Sequence, residues 1–230
     1  ADMEFTTFLS FLVKNGRAVL YPVYKGTFER SSPELLALDQ NRDSHAYTEY
    51  CVQLVKDVRR SLDYLETRED IDSKRLAYYG MSWGAYLGSL VTAVENGFRA
   101  SVLVAGGVDG TGRSEISDYS YVTRVRVPTI ILNGRYDTYC PPDICSRTML
   151  DLLGTPAEDK RMILYETDHI PPRTEYIKEI ERYKPDYPGD TLKQMLAANG
   201  ANLSDTEGFV NIATAVDGVE YVAILKELDA

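Results

Sequence analysis

The sequence predicts an α/β fold, a three-layer sandwich with a mostly parallel sheet, and three observations carry that expectation. Short apolar runs alternate with helical segments of ten residues or more, the order of repeated βαβ units. Glycine and proline fall at the transitions. The apolar runs lack the polar alternation of half-exposed strands, as suits a sheet covered on both faces.

Arg17–Tyr24 reads Arg-Ala-Val-Leu-Tyr-Pro-Val-Tyr and predicts a first buried strand, followed by a polar loop to Ser44. Between Ala46 and Thr67 the residues Tyr47, Cys51, Leu54, Val58, Leu62 and Leu65 recur every three or four positions, the stripe of an amphipathic helix. Leu76–Tyr79 predicts a strand ending at Gly80, and Ala85–Asn96 a helix that Gly97 terminates. The alternation continues with a strand at Ser101–Ala105 before Gly106-Gly107, then a polar stretch to Thr123. Pro128–Asn133 predicts a strand, Pro141–Leu153 a helix, Arg161–Glu166 a strand, and Thr174–Tyr183 a helix behind Pro171-Pro172. Right-handed crossovers then place helices on both sheet faces.

From Lys184-Pro185 the character changes. We expect an α/β core over residues 1–185 and an extension over 186–230, made of a short helix ending near Gly200 and a β-hairpin. The hairpin consists of Phe209–Val216 and Val219–Leu225 around Asp217-Gly218. Two strands alone are not stable in water, so the hairpin is expected to pack on the core.

Composition narrows the function classes. A formal net charge of −10 argues against nucleic acid or an anionic membrane surface as partner. No run approaches the roughly 18 apolar residues of a membrane span. The run Phe5–Val13 follows Asp2 and Glu4 rather than the basic residues of a signal peptide, and reads as part of a buried helix. Cys51, Cys140 and Cys145 are too few and odd in number for a disulfide framework, and no third ligand stands near the last two. Free thiols and a cytoplasmic location are therefore expected.

Gly80-Met81-Ser82-Trp83-Gly84 carries the chemistry. A Gly-x-Ser-x-Gly run directly after a strand and before a helix holds a serine on a sharp turn, where only glycines allow the backbones to approach. The turn lifts the hydroxyl above the carboxyl end of the sheet and aims the Trp83 N–H at a developing oxyanion. Such a serine needs a base, and the chain has only His45 and His169. His169 follows the last core strand, at the same sheet edge as Ser82; His45 precedes the first long helix and reads as a helix-start residue. The supporting acid is expected between serine and histidine in chain order. Asp137, in Asn133-Gly134-Arg135-Tyr136-Asp137, fits best; Asp109 and Asp118 are further possibilities. Asp168 adjoins the histidine and is poorly placed to reach its ring. No cofactor or metal is implied.

With these residues in hand the chain resembles bacterial α/β-hydrolases. The resemblance rests on Gly16–Pro22, Asp63–Arg68, Gly80–Gly84, Asn133–Asp137 and His169–Pro172, and spans Phe5 to Tyr183. It is similar to the branch of dienelactone hydrolases, acyl-peptide hydrolases and acetyl esterases, and especially to hydrolase domains attached to bacterial serine/threonine kinases. The resemblance implies a triad of Ser82, Asp137 and His169, a small ester or peptide substrate, and a kinase-linked parent protein. Ester cleavage through an acyl-enzyme is the expected reaction. The alternatives are a peptidase acting on short or blocked peptides, or a hydrolase-like domain kept for binding or regulation. The chain departs from the family in having few residues before Arg17, where further strands and a glycine-bearing turn with a second oxyanion donor are expected. The C-terminal hairpin could take the sheet positions of those strands.

Overall fold

The longest described helix begins at a capping serine. Ser44, in extended backbone, accepts the Tyr47 N–H on its hydroxyl at 3.1 Å, and His45–Glu66 (α1) follows. Its buried face carries Tyr47, Cys51, Leu54, Val58, Leu62 and Leu65, the stripe expected from spacing. The computed structural model describes residues 9–13, 17–182 and 222–223. Among them, strands and helices then alternate: Leu76–Met81 (β1), Trp83–Val94 (α2), Phe98–Val104 (β2), Asp118–Val122 (α3), Thr129–Gly134 (β3), Ser146–Leu152 (α4), Lys160–Tyr165 (β4) and Arg173–Arg182 (α5).

The strands β4, β3, β2 and β1 lie side by side in that order, and every neighbouring pair is parallel. All six residues of β1 and of β3 are buried, which is why they read as unbroken apolar runs. The sheet separates two cores. On one face Tyr78, Leu103 and Ile131 meet α1, α2 and Met149 of α4. On the other, Tyr79, Val102, Val104, Ile130 and Leu132 meet Leu9, Phe11 and Leu12 of a helical stretch at 9–13, together with Tyr176 and Ile180 of α5. Parallel strands that start on one side finish on one side, so the loops after β1, β2, β3 and β4 gather at a single sheet edge.

The expected strand at Arg17–Tyr24 is not formed; residues 17–24 run outside regular structure, mostly half-buried. A strand exists only through a hydrogen-bonded neighbour, and here a cleft of about 420 Å³, lined by Val19, Leu20, Tyr21, Leu65 and Leu76, lies between this segment, the end of α1 and the start of β1. The helix expected from Pro141 begins at Ser146, after a turn in which the Cys145 N–H donates to the Pro141 carbonyl. The short helix α3 falls in what the sequence suggested was a polar stretch.

The expected extension over 186–230, with its short helix and hairpin, lies outside the described residues except for Val222–Ala223 (β5). Those two residues pair parallel with Tyr78 and Tyr79, on the edge of β1 away from β2.

Candidate active site

Ser82 sits at the junction of β1 and α2 with φ of 51° and ψ of −116°, in the region that side chains rarely adopt. Its N–H donates to the Val104 carbonyl at 2.8 Å, and its own carbonyl receives the Ala85 N–H at 2.8 Å, so both sides of the turn are fastened. A Cβ at Gly80 would run into the Gly84 carbonyl, so the two glycines of the motif face each other across the turn. A Cβ at Gly106, after β2, would strike Ala85. These close approaches hold a strained serine in place. Trp83 opens α2, and the first amides of a helix point out of its N-terminus, at the positive end of its dipole.

The Ser82 hydroxyl lies 2.8 Å from Nε2 of His169, and Nδ1 of His169 lies 2.8 Å from Oδ2 of Asp137. The other Asp137 oxygen accepts the backbone N–H groups of Tyr139 and Cys140, each at 2.9 Å. A side chain with no exposed surface thus has both oxygens satisfied and a fixed orientation. Its demand on Nδ1 leaves Nε2 as the imidazole atom that faces the serine.

The loops that carry the acid and the imidazole are joined backbone to backbone. The Arg135 N–H donates to the Tyr165 carbonyl at 2.7 Å and the Tyr136 N–H to the Thr167 carbonyl at 3.0 Å. Gly134 lies directly under this junction: a Cβ there would collide with the carbonyls of Asp168 and Thr167. The glycine three residues before Asp137 therefore lets the histidine loop descend onto the acid loop.

The other candidates fall elsewhere. His45 is exposed at the first position of α1. Asp168 is exposed and is not the partner of His169 Nδ1. Asp109 pairs with Arg42 at 3.3 Å, and Asp118 accepts the N–H groups of Asp109, Gly110 and Tyr119, shaping the loop after β2. Burial pushes the Asp118 carboxyl above its ordinary range, with the Asp109 charge adding to it. All three cysteines are free and buried, and no cluster of three or more metal-ligating side chains occurs among the described residues. Sequence reasoning did not single out Tyr139, whose ring lies 5.1 Å from the His169 ring, or Asn133, whose buried Oδ1 accepts the Gly106 N–H at 3.2 Å. Their proximity to Asp137 in the chain was the available signal.

No family model matches the chain. Among curated proteins, the alpha/beta hydrolase domain-containing protein WAV2 of Arabidopsis thaliana is 25% identical over 118 residues. That match takes in 39% of this chain and only 38% of the plant protein. Among solved structures, acetyl xylan esterase 1 from Thermoanaerobacterium sp. JW/SL YS485 is similar with a TM-score of 0.50 at 12% identity, covering 72% of this chain and 74% of that one. An acetyl xylan esterase from Paenibacillus sp. R4 gives a TM-score of 0.49 at 21% identity, over 59% of this chain and 54% of that one. The chain has the α/β-hydrolase fold, the fold implied by the resemblance read from its sequence. No described helix is long and apolar enough to cross a membrane.

Proposed function

We propose that the protein is a serine hydrolase that cleaves a carboxylic ester through an acyl-enzyme, with Ser82 as nucleophile, His169 as base and Asp137 as the acid that orients it. The observation that carries this reading is the unbroken chain from the Ser82 hydroxyl through His169 to Asp137, with both links at 2.8 Å. A serine–imidazole contact of that length is within reach for proton transfer. The strained backbone at Ser82 supports the same reading, since strain of this kind collects at functional sites.

As the Ser82 oxygen bonds to the ester carbon, its proton passes to Nε2 of His169, and Asp137 stabilises the imidazolium that forms. The negative charge moves to the former carbonyl oxygen, and the Trp83 N–H is the donor assigned to it, a reading supported by the place of Trp83 at the head of α2. When the tetrahedral adduct collapses, the carbon–oxygen bond to the leaving alcohol breaks and His169 returns its proton to that oxygen. Water then attacks the acyl carbon as His169 takes one of its protons. When this second adduct collapses the carbon–oxygen bond to Ser82 breaks, His169 returns the proton to the Ser82 oxygen, and the carboxylic acid leaves.

A fluorophosphonate probe tests the assignment, because it bonds to an activated serine and spares an ordinary one. The expected result is stoichiometric labelling of the protein at Ser82 and none of Ser82→Ala. Labelling that persists in Ser82→Ala, or none in the unmodified protein, overturns the reading. A panel of acetate esters and blocked aminoacyl amides then separates an esterase from a peptidase.

A further inference from the structure

The loop after β3 carries three large apolar side chains in water. Tyr136, Tyr139 and Ile144 are 61%, 70% and 64% exposed, on either side of the Asp137 turn. Two tyrosines at this level of exposure within four residues contribute little to the core. Tyr136 is tied back, its hydroxyl donating to Glu166 Oε2 at 2.7 Å. Tyr139 stands differently: its ring lies 5.1 Å from the His169 ring, tilted by 52°. Its backbone N–H is held by the same Asp137 carboxylate that holds the imidazole. The acid thus anchors the tyrosine's backbone and the base from one carboxylate.

The chemistry decides which half of a substrate such a ring would touch. The carbonyl oxygen goes to the Trp83 N–H. The leaving oxygen must come within hydrogen-bond reach of His169 Nε2, because that atom returns its proton. A ring 5.1 Å from the imidazole is therefore within reach of the substituent that the leaving alcohol carries. Rings prefer to meet offset or edge to face, which an accessible tyrosine ring permits. The neighbouring polar side chains Arg135 and Tyr136 both turn to Glu166, Arg135 through Nε and Tyr136 through its hydroxyl.

We infer that Tyr139 determines specificity for the leaving group, selecting esters whose alcohol carries a flat apolar ring. The inference rests on the ester hydrolysis proposed above. The test compares benzyl acetate with ethyl acetate, whose alcohols are similarly basic and whose acyl group is the same. One aromatic contact is expected to favour benzyl acetate by about three- to tenfold in kcat/KM, mainly through KM. Tyr139→Ala brings that ratio close to one, Tyr139→Phe keeps it, and Tyr139→Leu, which retains bulk without a flat face, lowers it. The ratio between benzyl acetate and benzyl butyrate stays the same in all four proteins, since it reports on the acyl side. A general structural weakening would depress every ester alike and leave the ratios unmoved.

A benzyl-to-ethyl ratio unchanged in Tyr139→Ala, or lost equally in Tyr139→Phe, overturns the role of the ring while leaving ester hydrolysis standing. Absence of turnover on both acetates, together with no fluorophosphonate label on Ser82, overturns both.

Discussion

The carboxylate of Asp137 has no freedom to rearrange, and the consequences of changing it follow from its partners. In Asp137→Asn the amide oxygen is expected to keep the N–H groups of Tyr139 and Cys140, which only an acceptor can satisfy. The amide NH₂ then faces Nδ1 of His169 and forces the ring proton onto Nε2, where it blocks uptake of the serine proton. A loss of about a thousandfold or more in kcat is expected, with KM little changed. Ser82→Ala and His169→Ala should each lose at least as much, and the double variant no more than either, because the pair acts as a unit. His45→Ala and Asp168→Asn should retain most of the rate; steady-state kinetics on one activated ester checks all six proteins. A severe loss in Asp168→Asn would mean that the wrong acid has been assigned. Thiol chemistry offers a second residue-scale check. Burial is the main reason the Cys140 thiol is held well above its ordinary range, and all three cysteines are buried. A chromogenic disulfide reagent is therefore expected to find no fast-reacting thiol in the folded protein and three after denaturation.

At the scale of elements, what the sequence conveyed depended on whether an element is specified locally. α1 was legible almost to the residue, since its apolar stripe lies within its own sequence. The central strands β1 and β3 were legible because burial on both faces leaves a compact apolar signature, and β2 and β4 because apolar runs stand between turns. Arg17–Tyr24 has the same signature without the strand, because pairing depends on a neighbour elsewhere in the chain. Of the candidate site, Ser82, Asp137 and His169 could be picked out by motif and order, and the structure brings them together. The joining of the two loops by backbone could not be read, as it depends on β3 and β4 lying side by side. Gly134 tests that joining. Gly134→Ala places a methyl against the carbonyls of Asp168 and Thr167, which are backbone and cannot swing aside. A destabilisation of about 1–3 kcal/mol is expected, with a loss of ester turnover out of proportion to it. Gly97→Ala, where a Cβ meets only the far end of Glu95, is the control and should change neither melting temperature nor rate by much.

At the scale of the whole molecule, the two edges of the sheet differ. β4 is an edge strand with charged Lys160 and Arg161 at its start and mostly half-buried residues, a manageable border with water. β1 is buried along its whole length, yet on its outer side the described residues supply only the pairing of Val222 with Tyr78 and Ala223 with Tyr79. An apolar strand with open backbone groups invites another chain to pair with it, so the segment that carries residues 222 and 223 is expected to matter more than its two paired residues suggest. Ending the chain at Pro188 removes that pairing. The net loss from the hydrogen bonds alone is about 1 kcal/mol for each, and each kcal/mol lowers the melting temperature of a protein this size by about 2–4 °C. A fall of at least about 5 °C is expected, together with concentration-dependent light scattering as β1 edges of different molecules meet. The triad lies on loops after β1, β3 and β4, none of which the truncation touches, so the fraction that stays monomeric should still accept a fluorophosphonate. A truncated protein with unchanged melting temperature and no scattering would show that the edge of β1 is covered by other means, and that the C-terminal segment serves something other than the stability of this sheet.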